Sequence, residues 1–239
     1  MAVTVALSGV RRTFGRVVAV DRVDLELHSG SFVGLIGHNG AGKSTLMKML
    51  FGTLAPTEGT VTVCGVDVQA QPREACRHLG AVPEQPAVYE YLTAREFLEF
   101  VAEVRGEGDV AEAIEFTGLG ADADRLLREY SQGMRRKTAL AAAVLGRPEV
   151  IVLDESLNGL DPPSAARVKG RLRELVDDGH TVLLSTHVVD TVQRVADRVV
   201  MMAHGRVVAD EQTAALGDRG LEELFLERLA ASMSDESTP

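Results

Sequence analysis

The run FVGLIGHNGAGKSTLMKML, residues 32–50, constrains this chain more than any other stretch. Its first part, FVGLIG, is apolar without alternation, as a strand buried on both faces requires. Further on, Leu46, Met49 and Leu50 take the spacing of one helix face. Between them, GHNGAGKST fits G-x-x-x-x-G-K-[ST] from Gly37 to Ser44. Strand, glycine loop and helix in that order make a phosphate cradle. Gly37, Gly40 and Gly42 let the backbone carry His38, Asn39 and Ala41 around an anion with its N–H groups inward. The helix beginning near Lys43 aims its positive end at the same point. Lys43 adds a compact charge for the outer phosphates. The Ser44 hydroxyl is a ligand for Mg2+, and Thr45 completes the loop. The pattern implies nucleoside triphosphate binding; a glycine-rich turn is the plain alternative.

A second buried run, VIVLDE (150–155), ends in two carboxylates. Ligands in open α/β sheets bind outside the carboxyl ends of strands. Asp154 is placed there to hold Mg2+, directly or through water. Glu155 is the candidate general base for the water that attacks the γ-phosphate. An acidic cap on the next helix is the alternative. His187 follows the strand TVLLST; it is either structural or a hydrogen-bond donor to the γ-phosphate. Gln85, after AVPE, reads alone as a polar loop residue. YSQGMRRK (130–137) puts Ser131 and Gly133 at the mouth of a helix. That is a second anion-friendly turn, with no lysine loop of its own. Ser131 also reads as an ordinary N-cap.

Strand patterns fill residues 3–36, 60–65 and 79–84, and helical periodicity takes over from about 88 to 146. β/α alternation then resumes: a helix over 162–176, a short one over 188–195, and a hairpin over 198–210 turning at His204-Gly205. A tail helix is expected over 221–231, followed by a disordered polar end. The charge of −10 argues against nucleic acid as a partner. Cys64 and Cys76 make no disulfide framework and show no metal-binding spacing. No stretch approaches the ~18 apolar residues of a membrane span, and MAVTVALSGVRR does not read as a signal peptide. The expectation is a soluble cytoplasmic protein.

Residues 37–44, Gln85, 131–133, Asp154-Glu155, Asp161 and His187 come in the order and approximate spacing of ATP-binding cassette (ABC) ATPases. The chain resembles that family over about residues 3–210. The resemblance implies an α/β fold: a P-loop NTPase core with a mainly parallel sheet, an N-terminal antiparallel β subdomain and an inserted helical subdomain. It implies an ATPase domain over 1–210 and a helical tail over 211–239, with ATP and Mg2+ as cofactors. YSQGM is similar to the signature that caps the ATP held by an opposing cassette. Ser131 would donate its hydroxyl and Gly133 its N–H, an answer to the missing lysine. Phe14 matches the aromatic that stacks on adenine; its neighbours Arg11, Arg12 and Arg16 read as a solvated face. Gln85 belongs to the joint that touches both the metal and the membrane partner, and Asp161 joins the nucleotide-contacting set.

The sequence departs from the family pattern LSGGQ at Tyr130, Gln132 and Met134, and from Pro-Thr after the glutamate at Ser156-Leu157. The signature form resembles the subgroup that drives drug, lipid or polysaccharide export. The implied partners are a second cassette, identical or paralogous, and a membrane-embedded permease that would hold the chain at the inner face of the cell membrane. Tyr89, Tyr91, Phe97 and Phe100 cluster beside Gln85 as a groove for that permease, or as core. A soluble ABC ATPase of translation or DNA repair and an import-type ATPase are the alternatives. Against them stand the single cassette, the lack of a heptad run and the short stretch after the last hairpin.

Overall fold

Period-2 geometry explains why the apolar runs do not alternate: each strand of the central sheet feeds a different core on each face. The computed structural model describes residues 1–216, 220, 221, 223, 224 and 226–228. The chain opens with β1 (Val3–Phe14), β2 (Val17–His28), β3 (Phe32–Ile36), α1 (Lys43–Leu50), β4 (Glu58–Val63) and β5 (Val66–Asp67). There follow α2 (Pro72–Arg77), β6 (Leu79–Val82), α3 (Ala94–Arg105), α4 (Val110–Thr117) and α5 (Gln132–Val144). The second half is β7 (Val150–Asp154), α6 (Pro162–Asp177), β8 (Thr181–Thr186), α7 (Val189–Gln193), β9 (Arg198–Ala203) and β10 (Arg206–Gln212).

One antiparallel sheet has the order β2-β1-β4-β5. The other runs β10-β9-β3-β8-β7-β6, parallel throughout except for the β10–β9 hairpin at its edge. Val33, Leu35, Val150 and Val152 point into a core shared with α1 and the antiparallel sheet. Ile36, Ile151 and Leu153 point the other way, against Leu140 of α5, Val168 and Leu172 of α6 and Val192 of α7. Two glycines set how close the helices come. A Cβ on Gly34 would sit 2.1 Å from Val192 Cγ1, and one on Gly80 would sit 1.9 Å from the Ala143 carbonyl oxygen.

The stretch between β6 and β7 has a third core of its own, built from Phe97, Leu98, Ile114, Leu127, Tyr130 and Leu145. Its helices start where the side chains say they should. Thr93 and Glu96 form a reciprocal capping box on α3, Asp109 caps α4 and Ser131 caps α5. The hairpin turns at His204 and Gly205 as expected, with φ of 48° and 78°. Two small elements were not expected. In α2 only Ala75 is buried, so no apolar stripe announces it, and β5 is two residues long. The tail is helical at Leu221, Glu223, Leu224 and 226–228, with Leu221 and Leu224 in the second core. Residues 229–231, and the polar end expected to be disordered, lie outside the described residues. Among the described residues no helix is long and apolar enough to cross a membrane.

Gly80→Ala forces α5 off β6. We expect a loss of about 1–3 kcal/mol, read as a lower urea midpoint with an unchanged m-value.

Candidate functional site

The carboxyl ends of β3, β7 and β8 open into a cleft of about 630 Å³. Its floor is the loop between β3 and α1. Gly40 and Gly42 hold φ of 86° and 103°, where side chains are strained. Gly37 has a different reason: a Cβ there would lie 2.5 Å from the Met202 carbonyl oxygen. The loop is also pinned from outside, since Gly205 N–H donates to the Ala41 carbonyl at 3.0 Å. Gly42 caps α1 without any side-chain hydrogen bond, so the first N–H groups of the helix keep their anion-binding capacity.

Lys43 is 6% exposed. Its Nζ donates to the carbonyls of Gly37 at 2.7 Å and His38 at 3.2 Å. Burial pushes it below the usual lysine range, and the carboxylates of Glu155, Asp154 and Glu84 pull it back up.

The parallel register of β7 and β8 sets Ser185 opposite Asp154. Ser185 Oγ donates to Asp154 Oδ1, and Ser44 Oγ lies 3.4 Å from the same oxygen. Glu155 has φ of 50°, unusual for a residue with a side chain. Its N–H donates to Ser185 Oγ at 3.1 Å, which holds it there. The Glu155 carboxylate then meets His187 Nδ1 at 3.0 Å and Asn158 Nδ2 at 2.5 Å. A carboxylate held by an imidazole and an amide, at the rim of a phosphate cradle, has the geometry of an oriented base.

Phe14 stands over the cleft with Val17, Val18 and Ala19. The expectation of a solvated arginine face is corrected for two of the three. The Arg12 guanidinium lies 4.7 Å from the Phe14 ring centroid and donates to the Ala55 carbonyl. Arg11 pairs with Asp21 and Glu58; Arg16 is exposed. One face of Phe14 is thus covered by a cation, which leaves the other for a planar ligand.

Residues 39–45, Phe14, Glu155 and His187 line one cleft, and Gly37 and Asp154 back it. Five other expected residues are not in its lining: His38, whose carbonyl accepts from Lys43, and four others. Gln85 is exposed, and its neighbour Glu84 lines the cleft instead. Ser131 is exposed and Gly133 half-buried, outside the lining. Asp161 caps α6, accepting from Ser164 N–H at 2.9 Å and Oγ at 2.7 Å; those bonds hold its carboxyl below the usual range. The residues missed were Glu84, Arg136, Asn158 and Ser185. Arg136 joins three pieces: it starts in α5, donates to the Asn158 carbonyl and reaches the Glu84 carbonyl at 3.3 Å.

Three of the departures from the family pattern, Tyr130, Ser156 and Leu157, have structural reasons. Tyr130 fills the third core, and its hydroxyl donates to the Asp122 carbonyl. Burial pushes that hydroxyl up to about 12, so it stays a donor. Ser156, fully buried, ties β7 to β6 by donating to the Val82 carbonyl at 3.2 Å. Leu157 packs into the second core.

A family model described as ABC transporter matches residues 20–158. The daunorubicin/doxorubicin resistance ATP-binding protein of Streptomyces peucetius is 40% identical over 87% of this chain and 65% of its own length. Nod factor export ATP-binding protein I of Mesorhizobium japonicum is 37% identical over 90% of this chain and 65% of its own. The bacitracin transport ATP-binding protein of Enterococcus faecalis is 31% identical over 92% and 72%. The chain therefore spans 65% of the length of the first two relatives. Among solved structures, an ATP-binding subunit of an ABC transporter superposes with a TM-score of 0.88, at 28% identity, over 94% of this chain and 99% of that one. A dimeric ATP-binding cassette in a post-hydrolysis state, bound to ADP and Pi, gives 0.80 at 25% identity over 87% and 98%.

Ser185→Ala removes a donor from buried Asp154 and the anchor of Glu155 N–H. The loss should cost about 1–3 kcal/mol of stability, read as a lower urea midpoint, with nucleotide affinity changed much less in an equilibrium binding assay.

Proposed function

This chain belongs to the ABC transporter family, and from that premise we propose that it is the ATP-binding and ATP-hydrolysing subunit of an exporter. It works by pairing with a second cassette and drives a separate membrane permease. The observation that carries the reading is the division of the site. Lys43, Glu155 and His187 share one cleft, while the Ser131 turn lies outside its lining. One chain so arranged holds half of each of two composite sites.

The cleft fits ATP and Mg2+. The N–H groups of residues 39–45 and the Lys43 ammonium take the outer phosphates, and Phe14 takes the base on its uncovered face. Ser44 Oγ and Asp154 Oδ1 are hard oxygen donors that converge, as Mg2+ requires. Bound there, the ion neutralises charge on the outer phosphates. Glu155 accepts the proton of the attacking water. His187 holds Glu155 through Nδ1–H, which leaves Nε2 for a second contact to the γ-phosphate. Gln85 joins the metal only if its loop moves inward, which makes it a sensor of the filled cleft.

The Ser131 turn offers its hydroxyl, the Gly133 N–H and the start of α5 to the nucleotide of the partner. Lys137 pairs with Asp161 at 3.6 Å, and Arg136 binds the Asn158 carbonyl. The turn therefore moves with the loop that orients Glu155. Dimeric cassette structures support a pairing partner. The relatives' names cover daunorubicin/doxorubicin, Nod factor and bacitracin; such variety fits cargo choice made by the permease. The permease would hold the chain at the inner face of the membrane. Its docking surface is the aromatic patch of Tyr89, Tyr91 and Phe100, which are 59%, 81% and 43% exposed. Tyr89 packs edge-on against Phe97 and Phe100.

Glu155→Gln keeps ATP binding, lowers turnover about a hundredfold or more, and accumulates an ATP-bound dimer by sedimentation. Unchanged steady-state ATPase would mean Glu155 is not the base. Tyr91→Glu, at an exposed position, should abolish co-purification with the permease and leave ATP affinity unaltered. Lost ATP binding would mean that the residue supports the fold instead.

A further inference from the structure

A second cluster of chemistry-bearing side chains lies at the other end of the sheet. His78 and Glu149 immediately precede β6 and β7, whose first residues pair as Leu79 and Val150. They sit at the amino ends of strands whose carboxyl ends form the nucleotide cleft. Cys64 reaches the same place from the β4–β5 turn of the antiparallel sheet. Its Sγ, a His78 ring nitrogen and a Glu149 carboxylate oxygen all lie within 4.8 Å of one another. We infer that Cys64, His78 and Glu149 form a transition-metal site suited to Zn2+, clasping the antiparallel sheet to the parallel one.

The distances fit. His78 Nδ1 and Glu149 Oε1 are 3.2 Å apart. Two ligands with metal bonds of about 2.0–2.2 Å, set at a tetrahedral angle, stand about 3.4 Å apart. A thiolate at about 2.3 Å from the same ion needs about 3.6 Å to each of the others, so closure calls for a movement of about 1 Å. The His78 and Glu149 side chains, 27% and 56% exposed, both have room to shift toward the thiolate. A thiolate, an imidazole and a carboxylate with water in the fourth position suit Zn2+ and not Mg2+, which prefers oxygen.

The backbone fixes all three donors before any ion arrives. Cys64 N–H donates to the Thr4 carbonyl at 2.7 Å. The His78 carbonyl accepts from Val150 N–H at 3.0 Å, and that of Glu149 from Thr181 N–H at 2.8 Å. Cys64 and Gly65 hold φ of 49° and 79°, the pattern of a two-residue hairpin turn that favours asparagine in first place. Here a cysteine bears that strain. Burial raises the Cys64 thiol above its usual range, with Glu149 adding to the effect. Spacing along the chain offered no hint, because the donors come from three separate segments.

The test is Co2+ titration of the full chain after chelator treatment, without nucleotide. One Co2+ per chain should bind with a near-ultraviolet thiolate charge-transfer band and the visible bands of a tetrahedral ion, and Zn2+ should bleach both. Cys64→Ser should abolish the charge-transfer band and Cys76→Ser should keep it. His78→Ala and Glu149→Gln, checked for native circular dichroism, should weaken Co2+ binding about tenfold or more. Absence of the band in the unsubstituted chain overturns the site. So does a band that survives Cys64→Ser, or one indifferent to both His78→Ala and Glu149→Gln.

Discussion

Lys43 keeps its ammonium almost out of water because the loop folds around it and offers the side chain the Gly37 and His38 carbonyls. A buried cation with neutral acceptors is poorly compensated. The through-space help of Glu155, Asp154 and Glu84 offsets part of its desolvation. A polyphosphate would bring full negative charge to the point where ammonium, loop N–H groups and helix dipole converge. Much of the architecture serves to hold that point rigid. Met202 and Gly205 brace the loop from behind, and β3 lies between β8 and β9 at the centre of the parallel sheet.

Strand register carries the rest of the chemistry to the same place. The pairing of Asp154 with Ser185 lets one hydroxyl serve two neighbours, accepting from Glu155 N–H and donating to Asp154. Glu155 is thereby kept in a left-handed conformation it would not adopt alone, and its carboxylate turns toward His187 and Asn158. Asn158 in turn belongs to the segment that Arg136 ties to the head of α5. A chain of direct contacts thus runs from Glu155, the proposed base, to the helix whose mouth carries Ser131. Closing a nucleotide between two such molecules would be felt at the base.

The parts of this that could be read from residues alone were those with a local cause. The buried strands were legible because β3, β7 and β8 show continuous apolar runs, and the phosphate loop because its glycines and lysine are adjacent in sequence. The capping residue read at Ser131 marks a real helix start. What escaped was non-local. Ser185 looks like any residue of an apolar strand until the register sets it beside Asp154. Arg136 sits among other basic residues, and only the fold points it at Asn158 and Glu84. Arg12 looked solvated because one of its partners, the Ala55 carbonyl, comes from the segment beyond α1. Helix α2 has almost no buried face, so periodicity had nothing to register.

The most direct test of the composite site is to mix two inactive variants. Lys43→Ala lacks the phosphate lysine and Ser131→Arg blocks the capping turn. If each nucleotide is enclosed by Lys43 of one molecule and Ser131 of another, a mixed pair retains one complete site. ATPase activity should then appear on mixing two samples that are each silent. Silence in the mixture, with both variants folded and still able to pair, would place Lys43 and Ser131 in the same chain's site and contradict the account.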